Sequence, residues 1–320
     1  MARSRPFSAA LIAALAGLAG FAVPASADLV YIKGDDNSPS LWIAADDGRS
    51  PRKLADDAAA PRISADASHV VYLDRLGREL WLTPTRDGEP RRLARASGLS
   101  AAKFSPDGQL IAVVAGRRLL VFETATARMG VVARGRIGAF SFSPDGQRLA
   151  YDVERGGETD IHAVSVLGGE STRLTRDGRS LLPAWGPARI AFVKRKVRSG
   201  AYDIWTMTPE RTRVRRVTKL KVPDGASGLA PIEYSADGRR MIAQYVAGEV
   251  NVGFTVNPFT GKTRALRRKI AFDLASDGSQ VLTQSGGAGP GGKHNVYAAP
   301  YAGGRSQLLV RDAYSPSWSR

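Results

Sequence analysis

Seven fourteen-residue segments of this chain align with one another without a gap. They are LWIAADDGRSPRKL from Leu41, LWLTPTRDGEPRRL from Leu80, LLVFETATARMGVV from Leu119, IHAVSVLGGESTRL from Ile161, IWTMTPERTRVRRV from Ile204, GFTVNPFTGKTRAL from Gly253 and VYAAPYAGGRSQLL from Val296. Successive starts lie 39, 39, 42, 43, 49 and 43 residues apart. Each segment is two β-rich runs about a tight turn, and five of the seven carry Gly there, as a hairpin requires. A second hairpin precedes each of them. Its clearest copies are AKFSPDGQLIAVV (102–114) and FSFSPDGQRLAYD (140–152). In Ser-Pro-Asp-Gly, Pro sets φ at the second turn position and Gly accepts the positive φ that closes it. Alternation through Phe140, Phe142, Leu149 and Tyr151 has the two-residue period of strands.

Each repeat therefore supplies four strands, A to D, with A and B flanking the Ser-Pro-Asp-Gly turn and C and D forming the fourteen-residue hairpin. Four-stranded units of about 40 to 45 residues specify an all-β fold, a β-propeller of antiparallel blades. A lone four-stranded sheet leaves both faces wet, so each blade needs neighbours on both sides and the array is expected to form a ring. The stretch DLVYI (28–32) matches a strand B, and Pro316 and Trp318 align with Pro183 and Trp185 of a strand A. The pattern predicts seven blades, one of them completed by strands from both ends of the chain. Six is the alternative, if the N-terminal strands pack irregularly.

Residues 1–27 read differently. A basic head, MARSR, precedes the apolar AALIAALAGLAGFAV (9–23) and the small residues ASA (25–27), the plan of a secretory signal peptide. The apolar stretch is shorter than the ~20 residues that span a bilayer. The expectation is an exported protein, periplasmic or extracellular according to the envelope, with one propeller domain over 28–320 and no transmembrane segment in the mature chain. With no Cys, thiolate catalysis, thiolate metal sites and disulfides are excluded.

The unit FSFSPDGQRLAYD with its tail STRLTRDG (171–178) resembles the TolB-type propeller repeat: strand, Ser-Pro-Asp-Gly, strand, then a hairpin ending in a basic-Leu-Thr tail. The resemblance runs through 28–320, where the additional N-terminal α/β domain of TolB has no counterpart. TolB-like propellers usually have six blades where the spacing here gives seven. The resemblance implies fold far more than activity, because the repeat serves many functions.

Searching for chemistry assigns no catalytic, cofactor or metal site. The three His are His69, His162 and His294, and no two have metal-ligand spacing. His162 falls in a column shared with Trp42, Trp81, Leu120, Trp205, Phe254 and Tyr297, which reads as packing. GAGPGG (287–292) satisfies G-x-G-x-x-G but precedes the strand-like NVYAAP, so no helix N-terminus is offered to a phosphate. No G-x-S-x-G elbow occurs. The acidic pairs Asp35-Asp36, Asp46-Asp47 and Asp56-Asp57 sit at turns between strands.

Charge gives a better lead. The chain carries a formal +16, and between Leu181 and Lys269 there are 18 Lys or Arg against 6 Asp or Glu. Arg on the outermost strands, such as Arg215 and Arg216, discourages edge-to-edge pairing. That reason does not cover Lys194, Arg195, Lys196, Arg198, Lys219 and Lys221. These six lie in two long loops, KRKVRSGAY (194–202) and KLKVPDGASGLA (219–230), which belong to the B–C and D–A connections on one end of the propeller. Variable loops on a regular scaffold are where binding usually resides. They form the candidate site for an anionic or protein partner. Nucleic acid is not expected, because no aromatics interleave these cations. The reading is a monomeric, non-catalytic binding module or scaffold at the cell envelope. The alternatives are a channel-mouth hydrolase or lyase acting on a carbohydrate or lactone, and a solute-binding sensor.

Overall fold

The computed structural model describes residues 28–35, 37–196, 201–219, 226–247, 250–267, 269–286 and 293–319. Among these, every named element is a strand, and no helix is long and apolar enough to cross a membrane. The strands form five four-stranded sheets and one eight-stranded sheet. The larger sheet is two blades joined by one parallel pairing, Tyr202 with Gly228. Seven blades result.

Blade one draws on both ends of the chain. Its innermost strand, Tyr314–Trp318, pairs with Asp28–Lys33, which continues into Ser40–Ala45 and Arg52–Asp56. The innermost strands of blades two to seven are Ala58–Ile63, Leu99–Phe104, Arg136–Phe142, Ser180–Trp185, Ala226–Tyr234 and Lys269–Leu274. Outermost strands are shortest in blades four to six: Thr172–Arg173, Arg215–Arg216 and Thr263–Ala265.

The core is divided among the blade interfaces. Val71, Leu80 and Leu82 of blade two meet Ile111, Val113 and Phe122 of blade three. Equivalent clusters follow from blade to blade, and Leu29, Tyr31 and Trp318 of blade one pack with Leu282, Val296 and Val310 of blade seven. Alternation makes this possible, since successive residues of a strand face opposite neighbours.

Two local devices hold the repeat. In the A–B turns Ser and Asp bond each other: Ser105 Oγ donates to Asp107 Oδ1 at 2.5 Å and Ser143 Oγ to Asp145 Oδ1 at 2.5 Å. Asp145 also accepts the N–H of Gln147 at 3.0 Å, and these donors hold its carboxyl below the usual range. The second device is a bulge in each innermost strand. Register slips between Ala59 and Arg62, Ser100 and Lys103, Leu181 and Ala184, and at matching points in the other blades. At the slip Ala60, Ala101, Leu182 and Ser315 adopt φ of 47°, 55°, 54° and 49°. Such a conformation strains a side-chain-bearing residue by about 1–2 kcal/mol.

A side chain near the end of strand B receives amides that the bulges of its own blade and of the next blade turn aside. Asp152 accepts the N–H of Leu182 at 2.7 Å, and those of Gly138 and Ala139 at 2.8 and 2.9 Å. Gln284 accepts the N–H of Ser315 at 2.8 Å. Asp152 and Gln284 occupy the same place in their strands B, so the arrangement is a repeated inter-blade lock. Burial pushes the Asp152 carboxyl up despite its three donors.

Candidate functional site

Two ends of the propeller differ in what they carry. The A–B and C–D turns are short and fixed by their own Asp, Ser and Gly. The B–C and D–A connections occupy the opposite end, and the predicted cations are here. Lys194 and Arg195 close strand B of blade five, Ile190–Arg195, and Lys196 follows. Lys219 follows the outermost strand of the same blade. Arg198 and Lys221 lie outside the described residues, as does GAGPGG.

The four described cations are not equivalent. Lys194 Nζ lies 2.7 Å from Asp177 Oδ2 and 4.7 Å from the centroid of the Trp205 ring. The pairing with Lys194 is one reason the Asp177 carboxyl is held low, although burial opposes it. Lys196 Nζ is 3.2 Å from Asp203 Oδ2, which also receives Arg216 Nη2 at 2.7 Å. Asp203 is buried, so these two cations satisfy a charge that folding removes from water. Lys194 and Lys196 are thereby committed to structure. Arg195 and Lys219 are exposed and have neither an ion pair nor a side-chain hydrogen bond among the described residues.

The structure adds two cations that spacing alone does not reveal. Arg176 and Arg179 stand in the D–A connection entering blade five, and the Arg195 N–H donates to the Arg179 carbonyl at 3.0 Å. Neither guanidinium has an acidic partner among the described residues. Free cations of blades four and five thus gather at one loop end: Arg176, Arg179, Arg195 and Lys219. The signal for Arg179 was available in the TRDGR run (175–179), whose Asp177 is consumed by Lys194.

The other sequence candidates are accounted for by packing and turns. His162 is buried, its ring 5.7 Å from that of Tyr151. Burial, with Arg155 and Arg173 nearby, lowers its pKa. His294 Nδ1 lies 3.0 Å from the Ser285 carbonyl. Asp35 accepts the N–H of Asn37 at 2.9 Å and Asp47 that of Arg49 at 2.9 Å, both within their turns. Among the described residues, no three His, Asp or Glu converge as metal ligands would.

No protein-family model matches the chain. Over 79 residues it is 29% identical to the Tol-Pal system protein TolB of Desulfosudis oleivorans, a match covering 25% of this chain and 18% of that protein. The match thus spans less than a fifth of the relative's length. TolB from Acinetobacter baumannii superposes with a TM-score of 0.56 at 17% identity, over 92% of this chain and 67% of that one. An oligogalacturonate lyase from Vibrio parahaemolyticus gives 0.62 at 14% identity, over 89% of this chain and 84% of that one. Those identities speak for fold alone, and the fold serves both a Tol-Pal protein and a lyase. Repeat, strand order and sequence match converge on one conclusion: the chain is a β-propeller whose repeat is similar to that of TolB.

Proposed function

We propose that the chain is an exported, monomeric, non-catalytic propeller that binds a protein or anionic polymer of the cell envelope through the loop end of blades four to six. One observation carries the reading. Free cations gather on the variable end, where Arg195 and Lys219 remain after the buried acids have taken Lys194 and Lys196. A rigid scaffold carrying unspent charge on its loops is suited to capturing an anionic surface, steering it from a distance and holding it at close range. Residues 1–27 act in this reading as the export signal. Similarity to TolB agrees with an envelope setting.

A pull-down tests it. Residues 28–320 would be incubated with native envelope extract at low and high salt, and retained material identified by mass spectrometry and sugar analysis. One protein or polymer retained in a salt-sensitive, saturable way supports the proposal. Retention of nothing above background overturns it. Degradation of uronate oligomers by the purified protein would replace it with the lyase alternative.

A further inference from the structure

We infer that the loop end of blade three holds a second binding site, built from Arg117, Arg118 and Arg134, for a polyvalent oxyanion. The site is two blades from Lys194 and does not depend on the reading above. A cavity of about 660 Å³ opens there, lined by these three arginines and by small residues such as Ser97, Ala115 and Gly116. All three side chains are exposed, and none has an ion pair or hydrogen bond among the described residues.

Strand register makes the arrangement costly without a ligand. Arg118, first residue of Arg118–Glu123, is the direct cross-strand partner of Arg134, last residue of Met129–Arg134. Like charges placed opposite each other destabilise a strand pair. Other blades avoid this at the same position. Blade two pairs Glu79 with Arg95, an ion pair at 3.7 Å; blade one pairs Ser40 with Asp56, and blade seven Asn295 with Arg311. The nearby acids are occupied elsewhere: Glu154 holds Arg136 at 3.1 Å, and Glu79 holds Arg92 at 2.9 Å. Blade three therefore assembles positive charge and supplies no protein anion to it.

Backbone contacts fix the three positions. The Gly135 N–H donates to the Arg117 carbonyl at 3.0 Å, and the Gly116 N–H to the Gly98 carbonyl at 3.1 Å. Gly135 has φ of +142°, and a Cβ there would come within 2.5 Å of Val153 Cγ2. A side chain at 135 would be strained by that φ and would press on Val153 of blade four, so glycine is required where the chain leaves Arg134. Guanidinium forks match the paired oxygens of carboxylate and phosphate. Three of them around a cavity with a small-residue floor suit an anion with several charged oxygens, such as a polyphosphate or polycarboxylate.

Isothermal titration of the purified full chain at low salt tests the inference, with pyrophosphate and citrate as separate probes. Saturable one-to-one binding of at least one is expected, weakened at least tenfold by R118Q and by R134Q and unchanged by K262Q in a turn at the opposite end of the propeller. Whichever probe binds more tightly distinguishes a phosphate from a carboxylate ligand. R118E, which copies the Glu79–Arg95 pattern, should abolish binding while raising the Tm of the unliganded protein, so that unfolding cannot mimic the result. Absence of saturable binding to both probes overturns the site. So does binding unaffected by R118Q and R134Q, or reduced equally by K262Q.

Discussion

The carboxylate of Asp152 accepts the backbone N–H of Leu182 at 2.7 Å across the boundary between blades four and five. With Gly138 and Ala139 it satisfies three amides that the innermost-strand bulges turn away from the sheet. Each buried amide left unpaired costs about 1–3 kcal/mol. D152A should therefore lose about 3 kcal/mol or more in urea unfolding, and D152N, which keeps an acceptor oxygen, should lose less. A D152A protein as stable as wild type would remove the inter-blade lock from the account.

His162 makes stability pH-dependent. Its folded pKa is lowered by burial first, then by Arg155 and Arg173, so the folded state prefers the neutral ring. Its contribution is complete above the unfolded value of about 6.5 and is lost as pH falls from there towards the folded pKa. Unfolding free energies at pH 7.5 and pH 5.5 should show a loss in wild type that is smaller in H162F. Equal losses in the two proteins would contradict this.

Trp318 ties the chain ends together. It is buried between blades one and seven, and its backbone N–H donates to Asp273 Oδ2 at 3.0 Å. Its indole N–H is buried without a hydrogen-bond partner. W318A should cost about 3–5 kcal/mol through the cavity it opens. W318F fills most of the same volume and removes an unpartnered donor, so it should cost much less. Thermal unfolding of the two variants separates packing from polar satisfaction.

The turn glycines are a milder test. Gly146 has φ of +71°, and a Cβ there would meet Pro106 Cδ at 3.7 Å, an ordinary contact. G146A should therefore lose only the backbone term, about 1–2 kcal/mol. A larger loss would mean that neighbouring turns are packed more tightly than this spacing implies.

Features set by a few adjacent residues were legible in the sequence. Ser143 and Asp145 close one turn, and strand alternation flanks it, so the blades and their number could be read directly. The pairing of Asp28–Lys33 with Tyr314–Trp318 was legible because Pro316 and Trp318 repeat Pro183 and Trp185. The bulge locks were not, since Asp152 and Leu182 are distant in sequence and their meeting depends on blade stacking. For the same reason the candidate site was only partly legible. A run of Lys and Arg shows charge but not which acid will reach it: Asp177 comes from the D–A connection and Asp203 from the strand across the same hairpin. The Arg118–Arg134 opposition is a register fact, visible only once the hairpin ladder is drawn.

The most direct measurement compares two variants in binding to the native envelope fraction. In one, the free cations Arg176, Arg179, Arg195 and Lys219 are replaced by Gln. In the other, the turn-end residues Arg128, Arg239 and Lys262 are replaced by Gln. The account expects the first to lose binding by at least tenfold at physiological salt while the second binds like wild type. Equal binding by wild type and the four-residue loop-end variant would contradict the assignment of the loop end as the binding face.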